Sequence, residues 1–142
     1  MVGYSVLKLV SVLSLGLLVA VLPNGWVAHQ ASTDTTVLDG VYTRGQASQG
    51  QRTFEKACNA CHDTGEFTGG RFRLSWVGRT VADLFESVST LMPEGAPGSL
   101  TADEYAALVA YIFSLNGYPG GDEVLPSDSV ALRNFRIVSD ED

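Results

Sequence analysis

The stretch Cys58-Asn59-Ala60-Cys61-His62 decides the fold, because its C-x-x-C-H pattern is the one by which a polypeptide attaches haem covalently. On one helical turn, positions i, i+3 and i+4 share a face. Cys58 and Cys61 can therefore each form a thioether with a haem vinyl group while His62 reaches the iron. The spacing of the motif therefore predicts that one turn of backbone provides two covalent attachments and one axial iron ligand for a single haem c.

Other kinds of site also use a C-x-x-C pair, namely thioredoxin-type redox centres, zinc sites and small disulfides. A zinc site needs a second pair of ligands, yet Cys58 and Cys61 are the only cysteines and His29 is the only other histidine. A thioredoxin-like centre needs a βαβ setting, which the sequence does not indicate, and a local disulfide leaves His62 unexplained. Haem attachment is favoured over these thiol and zinc alternatives.

Composition and charge limit the partners. The chain has 142 residues and a net charge of −7, which indicates a single small domain. This acidity argues against nucleic acid as a partner and leaves no basic stripe for anionic lipid. It suits a redox partner with a positive docking face.

The N-terminal segment is typical of an export signal. Lys8 precedes the uncharged apolar run Leu9–Leu22, whose length fits a signal peptide better than a full membrane span. Residues 1–31 are therefore a cleaved signal peptide or a retained membrane anchor, and both remain open. In either case we expect the haem domain in the periplasm or on the outer face of the cytoplasmic membrane, soluble if the leader is cleaved and anchored if it is not.

The rest of the chain divides into three parts. The Ser-, Thr- and Asp-rich residues 32–42 are predicted to be a linker, residues 43–118 the haem domain, and residues 119–142 a C-terminal extension that lies on the domain or on a partner. There is no internal repeat, which predicts one haem.

Helical periodicity predicts an all-α fold with three to four short helices, and the C-x-x-C-H motif adds one covalently bound haem to it. The first helix covers residues 47–57, where a glycine inside the helix, Gly50, indicates a close crossing with another helix. A second helix begins after Thr80, and a third begins at the capping box Thr101–Glu104 and ends at Asn116-Gly117. The glycine-rich residues 63–78 are predicted to be an irregular loop.

A distal iron ligand can be sought by counting candidates. The methionines are Met1 and Met92, and the other histidine is His29, which belongs to the leader segment. Met92 begins the proline-containing loop 92–98 between two helices, where it is either a ligand or ordinary core packing. The haem motif and the Met-Pro step favour ligation.

The motifs C-N-A-C-H, M-P-E-G-A-P-G-S-L-T and E-Y-A-A-L-V-A-Y-I-F-S-L-N-G resemble those of class I, monohaem cytochromes c across residues 40–120. This resemblance implies a cytochrome c-like fold with His62 as proximal ligand, Met92 as distal ligand, and electron transfer through an exposed haem edge. It also implies that the first and last helices cross at Gly50 and Phe54 on one side, and at Leu108 and Tyr111 on the other.

The region from Met92 to Pro126 is also similar to the cytochrome c domains associated with quinoprotein alcohol dehydrogenases. A quinoprotein dehydrogenase or a membrane respiratory complex is therefore an expected donor or acceptor. In one respect the sequence departs from the family, whose proximal histidine usually donates a hydrogen bond to a proline carbonyl. No proline lies between His62 and Met92, so we expect another carbonyl, near Gly69 or Gly70, to orient His62.

These observations predict an electron-transfer protein without a substrate of its own: an exported monohaem cytochrome that cycles between ferric and ferrous states. Two alternatives remain, a fixed haem subunit of a membrane redox complex or dehydrogenase, and a haem enzyme or gas sensor with an open distal site. Three arginines lie near the expected pocket: Arg71, Arg73 and Arg79. They could pair with haem propionates, bind an acidic protein, or be solvated side chains without a partner role.

Overall fold

The computed structural model of the protein describes residues 35–139. The predicted leader or anchor, with His29, lies outside the described residues, as do the start of the predicted linker and residues 140–142. Everything described belongs to one compact unit. Between residues 35 and 139, no helix has the length and apolar character required to cross a bilayer.

The described residues are mostly helical, consistent with the expected cytochrome c-like fold. In chain order the helices are α1 (Arg44–Ala57), α2 (Gly69–Trp76), α3 (Val81–Leu91), α4 (Ala102–Leu115) and α5 (Ser129–Leu132). Short 3₁₀ helices cover Val37–Asp39 and Thr64–Phe67, and two two-residue strands, β1 (Thr35–Thr36) and β2 (Phe135–Arg136), pair in parallel. The helices outnumber the expected three to four because α2 and the single turn α5 carried no clear sequence signal.

Helices α1 and α4 cross closely at Gly50, as its position inside a predicted helix indicated. A methyl group at Gly50 would overlap the Ala107 carbonyl group and lie 2.9 Å from Cβ of Tyr111. Four residues along α1, the Phe54 ring lies 5.8 Å from the Tyr111 ring. The absence of a side chain at Gly50 thus allows the two backbones to touch, which fixes the position of the C-terminal end of α1.

Capping boxes begin α3 and α4; both helix starts were predicted, and the box itself was predicted for α4. Thr80 accepts a hydrogen bond from the Asp83 N–H at 3.2 Å, and the Asp83 carboxylate accepts one from the Thr80 N–H at 2.9 Å. Thr101 and Glu104 form the same reciprocal pair at the start of α4. Hydrogen bonds from the Thr80 hydroxyl first and the Thr80 N–H second hold the pKa of the Asp83 carboxyl group below its usual range. The Thr101 N–H first and the Thr101 hydroxyl second do the same for the pKa of Glu104. Helix α4 ends where predicted, with Gly117 in the left-handed conformation at φ 80°.

The prediction of an irregular loop over residues 63–78 was wrong, because α2 occupies half of it. Helix α2 buries Phe72, which is 2% exposed and packs edge-on against the ring of Phe113. The Gly69 N–H at the start of α2 donates to the Asn116 side chain at 3.0 Å. Tertiary contacts with α4 and with the residue that follows it therefore override the weak helical propensity of the glycines.

Residues 35–42 are packed, although the sequence predicted a linker over 32–42. Val37 is fully buried, and the Tyr42 hydroxyl donates to the Tyr118 carbonyl at 2.6 Å. The composition of this segment is polar, but Val37, Val41 and Tyr42 are buried in the core, while Leu38 is exposed. The described part of the segment is therefore part of the folded unit.

The C-terminal extension lies on the domain as far as the structure describes it. Leu125, Leu132 and Ile137 are buried, with Leu132 and Ile137 fully so. The Ile137 backbone exchanges hydrogen bonds with the segment before α3: its N–H donates to the Arg79 carbonyl at 3.0 Å, and its carbonyl accepts from the Gly78 N–H at 2.8 Å. This extension braces α3, the helix that leads to Met92. The domain boundaries proposed from the sequence remain predictions.

Candidate functional site

A cavity of about 360 Å³ opens among α1, α3 and α4 and contains all four predicted site residues. Cys58, Cys61 and Met92 contribute sulfur atoms to its lining, and His62 contributes an imidazole. The rest of the lining is mainly apolar and includes Phe54, Phe67, Trp76, Leu84, Val88 and Ile112. Its volume and apolar lining are typical of small-molecule and cofactor sites.

The C-x-x-C-H motif forms a single turn directly after α1. The N–H groups of Cys61 and His62 both donate to the Cys58 carbonyl, at 3.0 Å each. The Cys58 N–H donates in turn to the Phe54 carbonyl, which joins this turn to the end of α1. Residues i, i+3 and i+4 thus lie on one side of the chain, as the spacing predicted, and all three line the cavity.

The two thiols differ in environment. Cys58 is half-buried against the core, whereas Cys61 is exposed, and the two sulfurs are not joined as a disulfide. Burial raises the pKa of the Cys58 thiol, because the charged thiolate is poorly solvated there.

The expectation of a backbone carbonyl near Gly69 or Gly70 as the partner of His62 was wrong. The His62 Nδ1 atom lies 3.3 Å from Oε2 of Glu66, a carboxylate one turn further along the chain. Oε1 of the same carboxylate accepts a hydrogen bond from the Asp63 N–H at 3.0 Å. The hydrogen bonds from Asp63 first, and from His62 second, hold the pKa of Glu66 below its usual range.

Asp63 and Glu66 form a capping box around the 3₁₀ helix Thr64–Phe67. The D-x-x-E spacing immediately after His62 was the sequence signal that could have identified Glu66. An ionised carboxylate only accepts hydrogen bonds, so this contact assigns the proton of the neutral imidazole to Nδ1. The Nε2 atom of His62 then keeps the lone pair that a metal ligand requires.

Met92 reaches the cavity from the end of α3. Its N–H donates to the Val88 carbonyl at 3.0 Å, and its carbonyl accepts a hydrogen bond from the Tyr105 hydroxyl at 2.7 Å. Tyr105 is buried on α4 and 3% exposed. Its hydroxyl contact, which the sequence did not indicate, ties the Met92 backbone to α4.

Aromatic rings form one wall beside His62. The Phe67 ring packs edge-on against His62 with centroids 5.5 Å apart, and against Phe54 at 5.8 Å. Asn116, which caps the end of α4, donates from its amide to the Phe67 carbonyl at 2.8 Å. This contact ties the aromatic wall to the C-terminal end of α4.

The three arginines near the site do not behave alike. All three are exposed, but the Arg79 guanidinium also lies 5.5 Å from the ring centroid of Trp76. That distance is within the range of a cation–π interaction, and Trp76 itself lines the cavity. Arg79 is therefore the arginine with a contact to the cavity wall.

Residues 45–112 match the family model of cytochrome c oxidase, cbb3-type, subunit III. The matched range runs from the start of α1 to near the end of α4, and so contains the C-x-x-C-H turn and Met92. The match supports a class I cytochrome c-like domain with a haem-binding, electron-transfer role. It does not support the expected association with quinoprotein dehydrogenases. No curated protein and no solved structure significantly matches the chain.

Proposed function

We propose that this protein is an exported monohaem c-type cytochrome that carries one electron at a time, with His62 and Met92 as the axial iron ligands. The observation that carries the proposal is the convergence of Cys58, Cys61, His62 and Met92 on one apolar cavity. The C-x-x-C-H turn and the end of α3 both line this cavity, although Met92 lies far from the motif in the sequence.

The cavity lining fits a covalently bound haem. Cys58 and Cys61 would form the two thioethers, His62 would bind the iron on one side, and the Met92 sulfur would bind it on the other. When bound, haem supplies an iron that changes oxidation state by one electron. The apolar lining excludes water and disfavours additional positive charge, which favours the ferrous form.

The chain's own contacts keep these ligands in place. The Gly50 crossing fixes the end of α1 that carries the motif, and the Tyr105 hydroxyl holds the Met92 backbone. Such fixed positions would suit electron transfer, because His62 and Met92 could stay in place while a bound haem gained or lost one electron. The proposal therefore assigns the protein a carrier role, without catalytic turnover of a substrate.

We also propose a partner and a location. The cbb3-type subunit III match favours a membrane respiratory oxidase complex as the redox partner, and the apolar N-terminal run favours a place in the periplasm or on the outer face of the membrane. The same match favours a second candidate, a fixed haem subunit of such a complex. A carrier with a cleaved leader is released from membranes without detergent, whereas a fixed or anchored subunit requires detergent.

The decisive test uses full-length protein produced in a host that matures c-type cytochromes. We expect intact-mass analysis to show one haem bound through both thioethers, and the denatured chain to remain coloured. Cys58→Ser and Cys61→Ser together should abolish this attachment. A denatured wild-type chain that carries no pigment would refute the proposed function.

The distal ligand requires its own test. Met92→Ala should lower the midpoint potential and allow ferrous protein to bind carbon monoxide at neutral pH, whereas wild-type protein should bind it poorly. Leu74→Ala, at 91% exposure and outside the cavity lining, is the matched control and should leave both properties unchanged. Ready carbon monoxide binding by the wild type would favour the haem enzyme or gas sensor instead.

A further inference from the structure

We propose that Glu66 is a positioning residue that lowers the midpoint potential of the iron through its contact with His62. This inference rests on the proposed haem site, and it assigns to a carboxylate the place that a backbone carbonyl was expected to fill.

The geometry holds Glu66 at both carboxylate oxygens. Oε1 accepts from the Asp63 N–H at 3.0 Å, and Oε2 faces the His62 Nδ1 atom at 3.3 Å. Asp63 is itself fixed, because its side chain accepts a hydrogen bond from the Gly65 N–H at 2.8 Å. The carboxylate is therefore part of a small folded turn that begins directly after His62, and its reach to the imidazole does not depend on a freely rotating side chain.

The chemistry follows from the charge of the acceptor. A carboxylate draws the Nδ1 proton of a metal-ligating histidine more strongly than a neutral carbonyl does, which makes the opposite nitrogen a more basic ligand. A more basic ligand and a nearby negative charge both stabilise the ferric form relative to the ferrous form. Hydrogen bonds beyond the ligands are among the means by which a protein tunes a haem potential.

Solvent limits the size of this effect. The His62 and Glu66 side chains are 28% and 41% exposed, so water screens the charge. Arg71 also acts electrostatically on Glu66 and offsets part of its negative field. Loss of such a partner typically changes metal affinity or activity by about 10–100-fold. Because the contact is screened, we take the lower end, about tenfold, for the ferric-to-ferrous ratio at a fixed ambient potential.

The test compares Glu66→Gln with wild type in the full chain after haem attachment, by redox titration of the visible spectrum. Glutamine can preserve the capping hydrogen bond to Asp63 while it removes the charge. We expect the midpoint potential to rise by about 59 mV, the one-electron equivalent of a tenfold change. Glu94→Gln is the matched control, because it removes a carboxylate from the lining of the same cavity without altering the Glu66–His62 contact. It should shift the potential by a smaller amount.

A second variant separates the contact from the charge and guards against poor folding of the first. Glu66→Asp keeps the charge but shortens the side chain by one carbon, so that it cannot span both Asp63 and His62; we expect a smaller rise. If Glu66→Gln carries covalent haem and its midpoint potential is unchanged, this inference is overturned while the proposed function stands. If Glu66→Gln does not attach haem, an unchanged potential in Glu66→Asp has the same consequence. Wild-type protein without covalent haem would instead overturn the proposed function on which it rests.

Discussion

Alanine at position 50 would place a methyl group where α1 and α4 touch. The new Cβ would overlap the carbonyl carbon and oxygen of Ala107 and lie 2.9 Å from Cβ of Tyr111. Two of these neighbours are backbone atoms, which cannot rotate away, so the helices must separate. Because overpacking costs about 1–3 kcal/mol and the obstacle is backbone, we take about 3 kcal/mol for the crossing. Replacing a helical glycine by alanine returns about 1 kcal/mol, which leaves a net loss of about 2 kcal/mol.

For a domain of this size, a net loss of about 2 kcal/mol corresponds to a decrease in Tm of roughly 8–16 °C. The assay is thermal unfolding of haem-loaded wild type and Gly50→Ala, followed by circular dichroism. Gly45→Ala is the matched control on the same helix, because its Cβ would meet only the Thr43 Oγ1 atom, at 3.8 Å. We expect that control to be as stable as wild type or slightly more so. Equal Tm values for wild type and Gly50→Ala, or equal losses in both variants, would refute the close-crossing argument.

Three further predictions concern the distal loop, the C-terminal extension and the helix caps. Tyr105→Phe removes the donor to the Met92 carbonyl and should cost about 1 kcal/mol in thermal unfolding; it should also speed carbon monoxide binding to ferrous protein, and an unchanged rate would count against a role in holding Met92. Ile137→Ala, at a fully buried position, should cost about 2–5 kcal/mol, whereas Val130→Ala, at 67% exposure, should change stability by less than about 0.5 kcal/mol. A similarly small loss for Ile137→Ala would mean that the extension does not stabilise the domain. The pKa of Asp83 is lowered by its capping hydrogen bonds from an ordinary value of 3.8; its stabilisation is therefore complete above that pH and disappears as the pH falls through the lowered value. Acid titrations of unfolding should thus show a weaker pH dependence below pH 4 for Asp83→Asn than for wild type, and identical curves would contradict this.

Several elements could be predicted because their signals are local. The start of α4 follows from the spacing of Thr101 and Glu104, in which two side chains satisfy each other's backbone N–H groups within one turn. The place of Gly50 in a helical pattern indicated a close crossing, since a glycine there has a cost that only packing offsets. Spacing also brought Cys58, Cys61 and His62 onto one side of the chain, because a single turn is enough to do so.

Other elements could not be predicted, because their stability comes from distant contacts. Helix α2 contains two glycines and has no side-chain cap at its start, and it forms where Phe72 packs against Phe113. The polar segment before α1 looked like a linker, yet Val37 is fully buried in the core. In both cases the apolar area that a few side chains bury outweighs a local sequence preference that pointed elsewhere.

The sequence by itself determined the chemistry that this protein can perform, because two thiols and an imidazole within five residues act through one turn of backbone. Only the tertiary structure decided which groups surround them. Met92 joins the cavity because α3 packs against α4 and Tyr105 holds its carbonyl, and the C-terminal extension braces the segment before α3. The contact of Glu66 with His62 is the local exception, because the capping box Asp63–Glu66 directly after the motif forms it. Except for this last contact, these arrangements depend on side chains brought together from distant parts of the chain, which the local rules of helices and turns do not determine.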